Sequence, residues 1–462
     1  MLLSLLAAGA AGWAVPAQAQ TPTPAAGTPP QAALTAQRSP LTLADVVSLA
    51  LQNNPDTRVA FAQARAASAL YGSARGDLFP TITAEAPLAR TRGLSVNGGG
   101  NERSTWTPGI SLSYLLFDFG GRSGSIERAR ETAVAAAAQS DVTVQATILR
   151  AQGAYFAYNA ARDLVEAEHA NVRSAAEARD AAVGRFGVGL ATIADTLQAA
   201  TALAQAQLSE LAAQGNVQVA RGNLAAAMGT SADVPFEVAS SPGPVPVQAV
   251  GEGVDALMAR AVRERPALAA ARAQAAGAEA QIRVARAATL PSLIVGANAG
   301  RTFSDLDGFG GNTYGLTLGV QVPIFSGLSR QYDIRAARAQ AEAAQAQVDV
   351  ARVQVANQVY TSYTTLQVAT GRVRAAAQLL ASAELSEQVA RGRYTEGVGS
   401  LLDLLTAQSA LANARAQSAQ ARWQWQIALA QLAHDVGTLD RSGAPGLPLT
   451  TTANPAVSEV SR

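Results

Sequence analysis

Apolar and polar residues alternate over two stretches of the chain. In the later one, Tyr314, Leu316, Leu318, Val320 and Val322 share one face of an extended segment, and Gly315, Thr317, Gly319 and Gln321 share the other. A period of two predicts a strand, with a partner over about Ser292 to Phe303. In the earlier stretch, strands over about Thr81 to Leu88 and Thr107 to Phe117 place Ile110, Leu112, Tyr114 and Leu116 together. The connections are glycine-rich: Gly98-Gly99-Gly100-Asn101 and Asp307-Gly308-Phe309-Gly310-Gly311. Alternating runs of about ten residues suit a tilted transmembrane strand. A soluble hairpin on a helical body would carry the same pattern.

Around these strands the period becomes helical. Segments from about Asp56 to Leu78 and Ala267 to Thr289 are each stopped by a proline, Pro80 and Pro291. Then come two 62-residue stretches without proline, Ser123 to Gly184 and Gln331 to Gly392. As helices they would run on the order of 90 Å, more than an ordinary domain holds. In the second, Ile334, Ala337, Ala341, Ala344, Val348, Ala351 and Val355 form a coiled-coil seam, continued by Val359, Tyr363 and Leu366. Successive steps of four relax the supercoil toward straight helices. A shorter helix returns from each turn, about Thr192 to Met228 and Ser400 to His434. The two short helices of each copy can stack end to end beside the long one.

The chain is a tandem duplication. Pro55 and Pro266 stand 211 positions apart, as do Pro80 and Pro291. Beyond the strands the offset is 208: it links Arg185 to Arg393, Phe186 to Tyr394, Gly189 to Gly397 and Asp195 to Asp403. Two copies with a change of offset inside a loop describe a duplication rather than a solenoid. The expected divisions are a signal peptide over 1–19, a mobile segment over 20–40, repeats over 41–230 and 253–438, a Pro-rich joint over 231–252 and a mobile tail over 439–462. Leu2 to Val15 is apolar and too short to span a bilayer, and Ala17-Gln18-Ala19 supplies the small residues of a cleavage site. Export without a membrane-spanning helix leaves a β-barrel as the route to spanning a membrane.

Composition narrows the function. The net charge is +1, with 35 basic and 34 acidic residues, which argues against nucleic acid. There is no Cys and there are only two His, His169 and His434, so thiol chemistry, disulfides and a His-based metal site are not expected. Asp163, Glu166 and Glu168 read as a solvated helix face. No catalytic motif or cofactor site is expected. Two strands per copy cannot close a barrel, which starts at about eight strands, and open edges are not tolerated in lipid. Several chains would therefore share one barrel.

This plan, with the tip motifs Arg185-Phe186-x-x-Gly189-x₅-Asp195 and Arg393-Tyr394-x-x-Gly397-x₅-Asp403, resembles TolC-type outer membrane efflux proteins over about residues 41 to 438. The resemblance implies a mainly α fold: tandem long antiparallel helices form an α-helical barrel, and four strands per chain enter a shared transmembrane β-barrel. It implies a homotrimer with a twelve-stranded barrel and a periplasmic tunnel closed at its tip. It also implies an exit duct for a tripartite efflux pump or type I secretion system, with a periplasmic adaptor and an inner-membrane pump as partners and outer-membrane lipid around the barrel. The alternatives are a trimeric coiled-coil stalk or adhesin without a pore, and a periplasmic enzyme.

The candidate site is the tip. Thr192-x-x-Asp195 and Ser400-x-x-Asp403 read as capping boxes. A carboxylate repeated by symmetry would also ring a narrow entrance and favour cations. The resemblance maps that ring onto Asp403, and a tyrosine–aspartate bond onto Tyr394 and Asp195. Where some relatives carry a second acid and a latching arginine, this chain has Thr406 and Gly399, so a single ring and a different latch are expected. Arg185 and Arg393 suit helix C-termini, and Gly189 and Gly397 suit the turns.

Overall fold

The computed structural model describes residues 40–94, 100–239, 249–305, 310–439 and 449–450. The expected signal peptide, residues 20–39, the centre of the joint (240–248) and most of the tail lie outside the described residues. So do residues 95–99 at the first glycine loop and residues 306–309 at the second.

The duplication is visible element by element. The first copy holds α1 (Leu43–Asn53), α2 (Pro55–Gly76), β1 (Thr81–Glu85), β2 (Leu88–Leu94), β3 (Gly100–Trp106), β4 (Gly109–Phe117), α3 (Gly121–Gly187) and α4 (Ile193–Ala227). After the two-residue β5 (Ala249–Val250), the second holds α5 (Val254–Glu264), α6 (Pro266–Ala287), β6 (Ser292–Ser304), β7 (Gly311–Gln321), α7 (Ser329–Thr395) and α8 (Leu401–Val436). A final pair, β8 (Leu449–Thr450), lies against β5 and so joins the tail to the inter-repeat segment.

Pro55 and Pro266 stand first in their helices, where a missing N–H and a fixed φ do no harm. The long helices α3 and α7 have 67 residues each, on the order of 100 Å. In each copy a 22-residue and a 35- or 36-residue helix run beside the long one, as expected. The contacts order four columns side by side: α2 with α4, then α3, then α6 with α8, then α7. The second copy's short helices are thus wedged between the two long ones. The α7 seam is buried at Ala337, Ala341, Val348, Val355, Val359 and Leu366. Alanine along these seams keeps a Cβ and lets the axes approach closely.

The largest core lies at mid-length, where α1 and α5 pack across the columns. Val46, Val47, Ile148, Leu224, Met228, Leu257, Val359, Trp425 and Leu432 meet there. Arg265 joins Asp435 at 3.6 Å with both side chains largely buried, at the point where α6 and α8 come end to end. Asp163 departs from the expected solvated role. It accepts from the Trp423 indole at 2.8 Å and so ties α3 to α8. His169 meets Glu210 at 3.0 Å across α3 and α4, and His434 meets Asp435 at 3.0 Å.

The six-stranded sheet is antiparallel throughout: β1–β4–β6–β7 run side by side, and beyond a break in each first-copy strand β3 pairs with the far end of β6 and β2 with β3, so β1 and β2 form one open edge and β7 the other. The register sorts residues by face. Ile82, Leu112, Ala297 and Leu316 lie in line on one side, and Thr83, Ser111, Asn298 and Gly315 on the other. Two details differ from the sequence reading. The first-copy strands continue past Leu88 and begin before Thr107, but each is broken, between Glu85 and Leu88 and between Trp106 and Gly109. Pro87 and Pro108 stand in those breaks and cannot donate to a ladder. Leu116 leaves the alternation, because a bulge there puts Phe117 opposite Leu293. Among the described residues, no helix is long and apolar enough to cross a membrane.

Candidate functional site at the helical tip

At the end opposite the strands, both long helices turn back through the same device. Gly189 and Gly397 take φ of +76° and +78°, a left-handed conformation open to glycine without strain. Leu190 N–H returns to the Arg185 carbonyl at 2.8 Å, and Val398 N–H to that of Arg393 at 2.9 Å. These bonds satisfy carbonyls that the helix ends leave open. The second turn is tighter. Gly399 N–H also reaches the Arg393 carbonyl at 2.9 Å, and a Cβ at 399 would meet the Arg393 Cβ at 3.0 Å and backbone at 3.1 Å. A side chain at this position would meet tight contacts with the end of α7.

Each returning helix opens with the expected capping box. Thr192 and Ser400 accept from the N–H of Asp195 and Asp403 at 3.2 and 3.0 Å. The two carboxylates are not equally engaged. Asp195 Oδ2 accepts from the Thr192 backbone N–H and hydroxyl, both at 2.8 Å. Those bonds hold its pKa below the ordinary carboxylate value. Asp403 is exposed, and its link to Ser400 N–H is 3.4 Å long. Asp403 is thus the more loosely held of the two carboxylates.

The tyrosine contact differs from the one the resemblance implies. The Tyr394 hydroxyl is buried without a hydrogen-bond partner, so the bond to Asp195 is not formed within the chain. Burial pushes its pKa up; Arg185 pulls it down and Asp195 pushes it up further. What holds the ring is Arg185. Its guanidinium lies 4.2 Å from the ring centroid, and it donates to the carbonyls of Tyr394 and, at 3.0 Å, Thr395. A cation at a helix C-terminus meets open carbonyls; here they belong to the other copy's helix. Around the ring pack Ala178, Ala182, Ala199, Leu401 and Leu404, drawn from both copies.

A second bond between the copies was not anticipated from sequence. Arg391 donates to Glu387 at 2.8 Å on its own helix and to Glu177 of α3 at 2.7 Å. The hydrogen bond from Arg391 to Glu387 is the main reason its pKa rises, and Glu177 adds to it. The spacing of Glu387 and Arg391 was the available signal, a pair one helical turn apart. The counterparts of Tyr394 and Arg185 in the other copy behave otherwise. Phe186 is 45% exposed where Tyr394 is 6% exposed, and Arg393 lies exposed.

The chain thus consists of long paired helices with an alternating hairpin at one end and capped turns at the other. The sequence profile of the family described as outer membrane efflux protein matches residues 46–230 and 257–438, one span in each copy. The chain belongs to the outer membrane efflux protein family. It is 30% identical over 415 residues to Protein CyaE of Bordetella pertussis, covering 88% of this chain and 86% of that one. It is 26% identical over 421 residues to the Outer membrane protein TolC of Escherichia coli, covering 86% and 82%. The fold matches the outer-membrane channel OprN with a TM-score of 0.78 at 22% identity, over 87% of this chain and 90% of the other. The family is one of channels rather than catalysts, and it places the protein in the outer membrane, extending into the periplasm.

Proposed function

We propose that three copies of this chain form the exit duct of a tripartite efflux pump or type I secretion system. The duct passively conducts cargo delivered by a periplasmic adaptor and an inner-membrane pump, and it is gated at the helical tip. The observation that carries this reading is the pair of open edges. One chain offers four strand positions across its sheet, with β1 and β7 unpaired on their outer sides, and open edges are not tolerated in lipid. Strand β7 presents Tyr314, Leu316, Leu318 and Val320 to the outside, each more than 60% exposed in the single chain. The helical wall has two free flanks as well. Val353, Tyr360 and Leu385 are exposed on α7, and Leu197, Leu208 and Leu211 on α4. Joining α7 of one copy to α4 of the next would cover both flanks and bring the two sheet edges together. Three such joints would close a twelve-stranded barrel above a helical tunnel.

In this reading Asp403 rings the entrance, while Arg185, Tyr394 and the Arg391–Glu177 pair hold adjacent hairpins together. The same reading proposes a leader over 1–19 that is removed, two structural repeats and a joint between them. A coiled-coil stalk without a pore would need neither a strand pair in each copy nor repeats of matched length. Sedimentation in detergent tests the assembly. A single trimeric species is expected, and a stable monomer with full β content would contradict the shared barrel.

A further inference from the structure

The repeat symmetry points to a second tip contact, made between protomers. Within the chain, the first-copy tip meets the second-copy tip through Arg185 on Tyr394 and through Glu177 on Arg391. In a closed ring each second-copy tip must also meet the first-copy tip of the next protomer. By the repeat symmetry, that joint would have the same geometry with the partners exchanged. The offset of 208 carries Arg185 to Arg393 and Tyr394 to Phe186, and it carries Glu177 to Leu385 and Arg391 to Val183.

We propose that Arg393 of one protomer stacks on Phe186 of the next, backed by Leu385 against Val183. The inference rests on the trimeric duct reading and adds the residues of its closing joint. Each residue has the right chemistry for its exchanged role. An arginine again faces an aromatic ring, an interaction phenylalanine supports as tyrosine does. The ion pair is replaced by two apolar side chains, so neither position leaves an unmatched charge. All four are exposed in the single chain: Phe186 by 45%, Val183 by 50%, Leu385 by 63%, and Arg393. Exposed apolar side chains at the very positions that symmetry pairs are what a wall awaiting its neighbour would show. The two kinds of joint therefore differ. The joint within a protomer contains a salt-sensitive ion pair, and the joint between protomers does not.

The absence of cysteine makes the test direct, since any introduced thiol is the only one present. Full-length Phe186→Cys/Arg393→Cys, treated with a short bismaleimide, should convert from monomer to covalently linked trimer on a denaturing gel. Either single variant should stay monomeric. Arg185→Cys/Tyr394→Cys should react internally and also run as monomer. Val183→Cys/Leu385→Cys supplies a second intermolecular pair should the first variant fail to assemble. Sedimentation before labelling separates the two claims. A trimer in which neither intermolecular pair cross-links overturns the proposed joint and leaves the duct reading standing. A protein that does not form trimers overturns both.

Discussion

Arg185 and Tyr394 lie 209 residues apart, yet the guanidinium sits 4.2 Å from the ring centroid and donates to the carbonyl of the same tyrosine. One side chain thus grips both the ring and the backbone of the opposing hairpin. Arg185→Ala removes the stack and two charge-assisted bonds, which should destabilise the tip by about 2 kcal/mol. Tyr394→Phe keeps the ring and removes a hydroxyl without a partner, so it should change stability by under about 0.5 kcal/mol. Heat unfolding in detergent checks both, and a Tyr394→Phe loss as large as that of Arg185→Ala would mean the hydroxyl is bonded.

Arg391 bridges Glu387 and Glu177, but the two bonds have unequal surroundings. The Glu177 side chain is 55% exposed, and that of Glu387 only 10%. A double-mutant cycle on Arg391 and Glu177 should return about 0.2–1 kcal/mol, falling as salt is raised. Glu387→Gln leaves Arg391 short of its buried partner and should cost more than Glu177→Gln. The reverse order would show that the contact between copies dominates.

The acid response of the tip follows from Asp195. Its folded pKa is depressed by the Thr192 bonds. Its contribution is therefore present above the unfolded value of about 4 and is lost as pH falls through the folded pKa. Asp195→Asn should flatten the stability profile on the acid side of about pH 4 and leave it unchanged near neutrality apart from a constant offset. An unaltered acid limb, followed by tip-specific hydrogen exchange, would remove Asp195 from the account.

Gly399 is fixed by crowding rather than by backbone conformation. A Cβ there would stand 3.0 Å from the Arg393 Cβ and 3.1 Å from backbone, so the turn would have to shift by a few tenths of an ångström. Gly399→Ala should loosen the second turn by about 1–3 kcal/mol, seen as faster proteolysis at the tip. Gly399→Ala with wild-type resistance would show that the turn can move aside.

Much of this was legible in sequence because periodicity and duplication are written in the residues themselves. The β6–β7 pair, both long helices, the capping boxes at Thr192 and Ser400 and the glycine turns follow from local pattern. The strand breaks beside Pro87 and Pro108 were missed because alternation was followed further than proline allows. The bulge at Leu116 depends on the register with Leu293, which no single strand encodes. Within the chain, Tyr394 is held by Arg185 and makes no hydrogen bond to Asp195. A resemblance transfers residue types, whereas the choice between Asp195 and Arg185 as the partner of Tyr394 is made by how two distant helices pack. Glu177 and Arg391 stayed hidden for the same reason.

The central claim is that the tip is a charged, closable entrance, and single-channel currents in planar bilayers test it most directly. Wild-type protein should conduct in small, cation-preferring steps that trivalent cations block. Arg185→Ala should raise the conductance, and Asp403→Ala should lower cation preference and weaken the block while leaving the pore open. If Asp403→Ala melts earlier but keeps wild-type selectivity and block, the carboxylate serves only as a helix cap, and the entrance ring proposed here does not exist.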